Sequence, residues 1–167
     1  MKTFYKDLLL LSHVRENGRK KLTRLAKETR MPVSTIYDKL RLYRSIYIRK
    51  YTAILNFRNL GFSTRCLVAF KVSTNEKNIL RDFLFKHRSV NSLCRVDNGF
   101  DYVAEMIFVS LEDLHNFLEF VERSFEVKKV TVFNVLEDLR REDFLASPRY
   151  LRLVNGIKNS LKVRQWA

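Results

Sequence analysis

Apolar residues recur at helical spacing through the first 45 positions, and change to alternating or continuous runs from about residue 64. Three short amphipathic patterns fit the first part. From about Phe4 to Glu16, Phe4, Leu8 and Leu11, with neighbouring Leu10 and Val14, form a broad apolar stripe. Asn17-Gly18 ends it, as residues tolerant of positive φ should. From about Lys21 to Thr29, Leu22, Leu25, Ala26 and Thr29 share one side. Pro32 opens the third pattern, since its missing N–H costs nothing at a helix entrance. There Ile36, Leu40 and Tyr43 fall at i, i+4 and i+7 and should face the other two helices. Three such helices joined by short polar links outline a helix-turn-helix.

Residues 66–135 predict two β-α-β passes. CLVAFKVS is a strand, and NEKNILRDFLFKHRSV carries Ile79, Leu80, Phe83 and Leu84 at helical spacing. VNSLCRVD is a second strand, and Asn98-Gly99 signals a tight turn before a third, FDYVAEMIFV. Ser110 to Asp113 reads as a capping box for a helix with Leu114, Phe117, Leu118 and Val121 inward, and VKKVTVFNVL closes the set. The order β-α-β-β-α-β is ferredoxin-like. Phe70, Val72, Met106, Phe108, Val132 and Phe133 are numerous enough to line both a helix-covered face and an opposite face of the sheet. A sheet with helices on one side leaves its other face needing cover.

Charge divides the chain again. Residues 1–50 hold fourteen Lys and Arg against four Asp and Glu, a net +10. Residues 51–148 hold thirteen against fourteen, a net −1, and residues 149–167 hold five against none. For any one Lys or Arg, a solvated helix surface is the simpler reading. As a block, +10 in 50 residues repels itself and attracts polyanions. No apolar run approaches the ~18 residues of a membrane span and no leader is recognised, so a cytoplasmic protein is expected. Cys66 and Cys94 lie in strand-like stretches without metal-ligand spacing and are expected to be buried and reduced.

On the third helix, Ser34, Asp38, Arg41 and Ser45 fall opposite the apolar side, with Tyr37 and Leu42 on the flanks. Lys39 and Arg44 sit nearer the core edge, where long stems can lie over apolar surface and place their charges outward. In a recognition helix the outward N-terminal residues meet base edges while surrounding cations hold phosphates. Ser34, Thr35, Tyr37, Asp38 and Arg41 are thus base-contact candidates, and Arg19, Lys20, Lys21, Arg24, Arg30 and Arg44 are phosphate candidates. Asp38 either accepts from a cytosine amine or pairs with Arg41 three residues on; the pair is the expectation.

NGRKKLTRLAKETRMPVSTIYDKL resembles the helix-turn-helix of the Lrp/AsnC (feast/famine) regulators, with N-G-R at the first turn, L-A-K on helix 2 and S-T-apolar opening the recognition helix. YIRKYTAILNFRNLGF is similar to that family's linker strand, at Ile48, Tyr51-Thr52-Ala53, Leu55-Asn56 and Leu60-Gly61. Ile46 stands where the family usually has Gly. The resemblance covers about residues 4–140. It implies an α+β protein: a winged-type helix-turn-helix over 1–46, a linker strand over 47–63, a ferredoxin-like βαββαβ (RAM) domain over 64–140 and a basic extension over 141–167. It also implies a sequence-specific transcription regulator acting on double-stranded DNA as a homodimer or a larger assembly of dimers, with an amino-acid-like effector. The effector would sit at DNGFDYVAE, where Phe100-Asp101-Tyr102 matches the end of the family's G-D-Y-D-Y, giving Asn98, Gly99, Asp101 and Tyr102 as candidates. A hairpin turn with a strand-end carboxylate and a cross-strand aromatic explains the same residues without a ligand.

His13, His87 and His115 are scattered, and no hydrolase, zinc or phosphate-loop motif is present, so no enzyme, cofactor or metal is expected. Two alternatives stay open. Sirohaem decarboxylases share the architecture, and Arg95 is a weak candidate for a carboxylated tetrapyrrole on the sheet face. A non-specific DNA or chromatin binder would show the same charge. Leu151, Leu153, Val154, Ile157, Leu161, Val163 and Trp166 suggest a short helix and a basic amphipathic piece that docks on the protein.

Overall fold

A computed structural model describes residues 2–147 and residue 151, with side chains from residue 5. The chain forms two compact units. Of the described residues, one comprises 2–53, 140–147 and 151, the other 54–139.

The first unit is built on α1 (Lys2–Glu16), α2 (Leu22–Thr29) and α3 (Val33–Ile46). Leu10, Leu25, Met31, Ile36 and Tyr43 are its buried core, with Leu11, Val14, Leu22, Ala26 and Leu40 packed around them. Leu10, Leu11 and Val14 of the first predicted stripe and the inward positions of the other two helices therefore pack, whereas Leu8 is half-buried outside this cluster and the Phe4 side chain lies outside the described residues. Gly18 does not supply a left-handed turn. Its role is space: a Cβ there would meet the Tyr51 ring at 3.2 Å. The left-handed residue is instead Arg30, closing α2 at φ 54. Ile46 ends α3 without any left-handed residue, because the N–H groups of Tyr47 and Ile48 both donate to the Tyr43 carbonyl. No strand forms in residues 2–63, so the helices carry no wing and the expected linker strand is absent. A strand needs a hydrogen-bonding neighbour, and residues 48–56 are given none within the chain; a short 3-10 turn at Arg58–Leu60 follows. Arg15 donates to Glu142 and to the Phe144 carbonyl, and Leu151 is 1% exposed, so residues 142–147 and Leu151 belong to this unit. The rest of the expected basic extension, 148–150 and 152–167, lies outside the described residues.

The second unit is a four-stranded antiparallel sheet, β1 (Thr64–Val72), β2 (Val90–Arg95), β3 (Tyr102–Phe108) and β4 (Val127–Asn134), in the order β2-β3-β1-β4. Helices α4 (Lys77–Lys86) and α5 (Leu111–Ser124) join its passes. Ser110 and Asp113 form the expected reciprocal capping box on α5. Cys66, Val68, Phe70 and Val72 alternate onto one face of β1, and with Ala104, Met106 and Phe108 they pack under Leu80, Leu84, Leu114, Phe117 and Val121. Five of the six residues expected to line both faces thus serve the helix side, with Val132 at its border. Phe133, paired with Leu67, is the member that stands on the opposite face, 58% exposed. Ile79 also departs from expectation, lying exposed on α4. Burial pushes the Cys66 thiol up to about 11, whereas Cys94 is exposed, contrary to expectation, because β2 is a sheet edge.

Candidate nucleic-acid interface

Burial of Ile36 and Tyr43 fixes the rotation of α3 and leaves Ser34, Tyr37, Asp38 and Arg41 facing solvent. Thr35 is turned half inward. Asp38, Arg41, Leu42 and Ser45 line a shallow hollow on this side, and the expected Asp38–Arg41 ion pair is not made. An exposed pair gains little against the side-chain entropy it costs, so both groups stay available. Lys39 instead bonds Asp7 on α1 at 2.6 Å, bracing the back of the helix.

Arg19, Lys21 and Arg30 are exposed, and no carboxylate pairs with them among the described residues. Arg24 is exposed but donates to Glu28 at 3.0 Å. The Arg44 guanidinium lies 5.7 Å from the centre of the Tyr51 ring, a cation–π distance. Lys20 is the correction. Its side chain is 8% exposed, and its ammonium sits 2.9 Å from both Glu16 and Glu28 and 3.3 Å from His13 Nδ1. Two carboxylates on neighbouring helices draw it inward, so its charge is spent inside the unit. Hydrogen bonds from Lys20 and then Arg24 hold the Glu28 carboxyl down to about 2. Lys20 also lowers Glu16.

The effector candidates divide. Asn98 (φ 56) and Gly99 (φ 99) are both left-handed, as a two-residue hairpin turn requires. The Val96 N–H donates to the Asp101 carbonyl beneath them. Asp101 is not free for a ligand: its buried carboxylate takes bonds from Lys77 Nζ (2.7 Å), the Val72 N–H (3.2 Å) and Lys71 Nζ (3.4 Å). Burial pushes its pKa up, but these donors outweigh it and hold the group below its usual range. Tyr102 is buried and forms part of the wall of a cleft of about 540 Å³ between α4 and β2, with Lys77, Arg81, Ser92, Leu93 and Arg95. Arg95 pairs across the ladder with Tyr102, so it points to the α4 side and not to the open sheet face expected of a tetrapyrrole contact. Burial and then the charge of Arg88 push the His87 imidazole below its usual range, and its Nδ1 accepts from the Ser89 N–H. His13 belongs to the Lys20 network and His115 is exposed. Among the described residues, no group of three or more His, Cys, Asp or Glu is placed to hold a metal. No helix there is long and apolar enough to cross a membrane.

Sequence reasoning missed Val33. It is the first residue of α3, 41% exposed, on the same side as Tyr37. Its apolar character hid it, although its four-residue spacing from Tyr37 was readable.

No family model matches the chain. It is 26% identical over 116 residues to the HTH-type transcriptional regulator FL11 of Pyrococcus furiosus, covering 69% of this chain and 77% of that one. It is 25% identical over 143 residues to an uncharacterised HTH-type transcriptional regulator of Pyrococcus abyssi, covering 85% and 97%. Among solved structures, a transcriptional regulator of Neisseria meningitidis in complex with L-Met superposes with a TM-score of 0.75 at 17% identity, covering 81% of this chain and 91% of that one. LrpC of B. subtilis gives 0.72 at 15%, covering 81% and 95%. An AsnC family regulator of Agrobacterium tumefaciens gives 0.71 at 14%, covering 81% and 92%. In sequence the chain is similar to HTH-type transcriptional regulators, and it shares the fold of Lrp- and AsnC-type regulator structures, three helices followed by a ferredoxin-like sheet.

Proposed function

We propose that the protein is a DNA-binding transcription regulator that works in the cytoplasm as a homodimer, placing the solvent side of α3 in the major groove. The observation that carries this is the set of exposed cations without carboxylate partners among the described residues, Arg19, Lys21, Arg30 and Arg41, on and around a helix whose outward face is otherwise polar or uncharged. Arg30 adds weight. It occupies a left-handed position where glycine would be less strained, which suits a side chain kept for contact. The open sheet face, with Leu67 and Phe133 exposed across one ladder, supports a second copy as its cover. Two recognition helices then read half-sites about one turn apart, ~34 Å.

An effector reading is favoured by the α4–β2 cleft more than by the hairpin tip. Lys77, Arg81 and Arg95 line the cleft, no carboxylate does, and Asp101 is already engaged. The carboxylate end of an amino-acid-like effector suits that wall. The regulator reading is tested by gel shift on the protein's own upstream region and on scrambled duplex across a salt series. The expected result is tighter binding to the former, with affinity falling steeply as salt rises. Indifference to both duplexes at low ionic strength would end it.

A further inference from the structure

We propose that the protein reads thymine through its 5-methyl group, using Val33 and Tyr37 as the apolar contacts at the start of α3. This rests on α3 being the DNA-reading helix and names what that helix recognises.

The outward side of α3 is poor in the groups that usually discriminate bases by hydrogen bonding. Its exposed residues are Val33, Ser34, Tyr37, Asp38, Arg41, Leu42, Arg44, Ser45 and Ile46, with the two cations in the second half of the helix and one carboxylate, Asp38, ahead of them. The first turn and a half, the part of a recognition helix that meets base edges, exposes Ser34 and two large side chains, Val33 (41% exposed) and Tyr37 (59% exposed). They lie four residues apart and so stand one above the other on the same strip. Neither packs against the core, which takes Ile36, Leu40 and Tyr43.

The Val33 side chain and the Tyr37 ring, held in water on a helix of a strongly basic unit, are a cost to the free protein unless a partner covers them. Within the major groove the only apolar feature of a base edge is the thymine methyl. The basic surroundings commit the occupant to a polyanion and the apolar strip commits the contact to that methyl. Arg41 and Asp38, unpaired and further along, are left for a guanine edge and a cytosine amine. Burying one methyl is worth about a fourfold change in affinity.

The test begins with duplexes enriched from a random pool by the full-length protein. Each is then remade with deoxyuridine in place of thymine, which keeps every base pair and removes only the methyls. Wild-type protein should lose about fourfold per contacted methyl, and the Val33→Ala, Tyr37→Ala double variant should bind both forms alike. Equal wild-type affinity for thymine and uracil duplexes overturns the proposal, whatever the variant's folding, and leaves DNA binding standing. A pool that yields no sequence preference overturns it in the same way. Failure to retain any duplex at low ionic strength overturns both readings together.

Discussion

The Lys77 ammonium lies 2.7 Å from the Asp101 carboxylate, tying the first turn of α4 to the foot of the β2–β3 hairpin. The Val72 N–H bonds the same carboxylate, so one buried group anchors a helix start, a strand end and a turn. Asp101→Ala should destabilise the sheet unit by about 2–4 kcal/mol, since it strands two lysines and an N–H. Chemical denaturation measures the loss, and an undiminished midpoint would mean that the anchor is dispensable.

Arg30→Gly should raise thermal stability while weakening DNA binding. The left-handed backbone at φ 54 costs an L side chain roughly 1–2 kcal/mol that glycine avoids. The lost cation should reduce the slope of log affinity against log salt by about one. A melting curve and a salt-dependent binding series check the two halves separately. Lys21→Ala should flatten the slope likewise, and Lys20→Ala should leave it unchanged, because the Lys20 charge is already neutralised.

Acid should loosen the helical unit first. The Glu28 carboxyl is held at about 2 against an ordinary 4.5 by Lys20 and then Arg24. A folded pKa below the unfolded one contributes stability above the unfolded value and loses it as pH falls toward the folded one. The contribution should therefore be complete above about pH 4.5 and drain away between there and about pH 2. Glu28→Gln should flatten that part of the stability–pH curve, followed by helical circular dichroism.

Thiol reagents should separate the cysteines. Cys94 is exposed on an edge strand, while Cys66 is buried with its thiol pushed up to about 11. One equivalent should react quickly in native protein and the second only on unfolding. Fast reaction of both would contradict the core position of Cys66.

Phe133→Glu should weaken self-association roughly thirtyfold if Phe133 is an anchor of a subunit interface. Sedimentation equilibrium gives the answer, and an unchanged mass distribution would leave the open sheet face without a partner.

The elements were readable wherever one physical cause governed them. Ile36, Leu40 and Tyr43 set the orientation of α3 by spacing alone, and Ser110 with Asp113 announced α5, because a cap is a local event. Partnership across distance was not readable. Lys20 looked like any exposed cation until Glu16 and Glu28 came from two helices to meet it, and Asp101 looked like a ligand group until Val72, Lys71 and Lys77 closed around it. The linker failed for a related reason: its residues favour a strand, but a strand is made by its neighbour. Val33 was not singled out, since its four-residue spacing from Tyr37 gains meaning only once both side chains are seen exposed.

Arg15 reaches across 127 positions to Glu142, so the helical unit is discontinuous along the chain. Domains synthesised on a ribosome ordinarily close from the N-terminal end as they emerge. Here α1, although among the first segments made, waits for residues 142–144 before its last contacts exist. A nascent chain therefore cannot complete its helical unit ahead of its sheet, and premature termination after β4 would release a protein whose first helix lacks its closing partner.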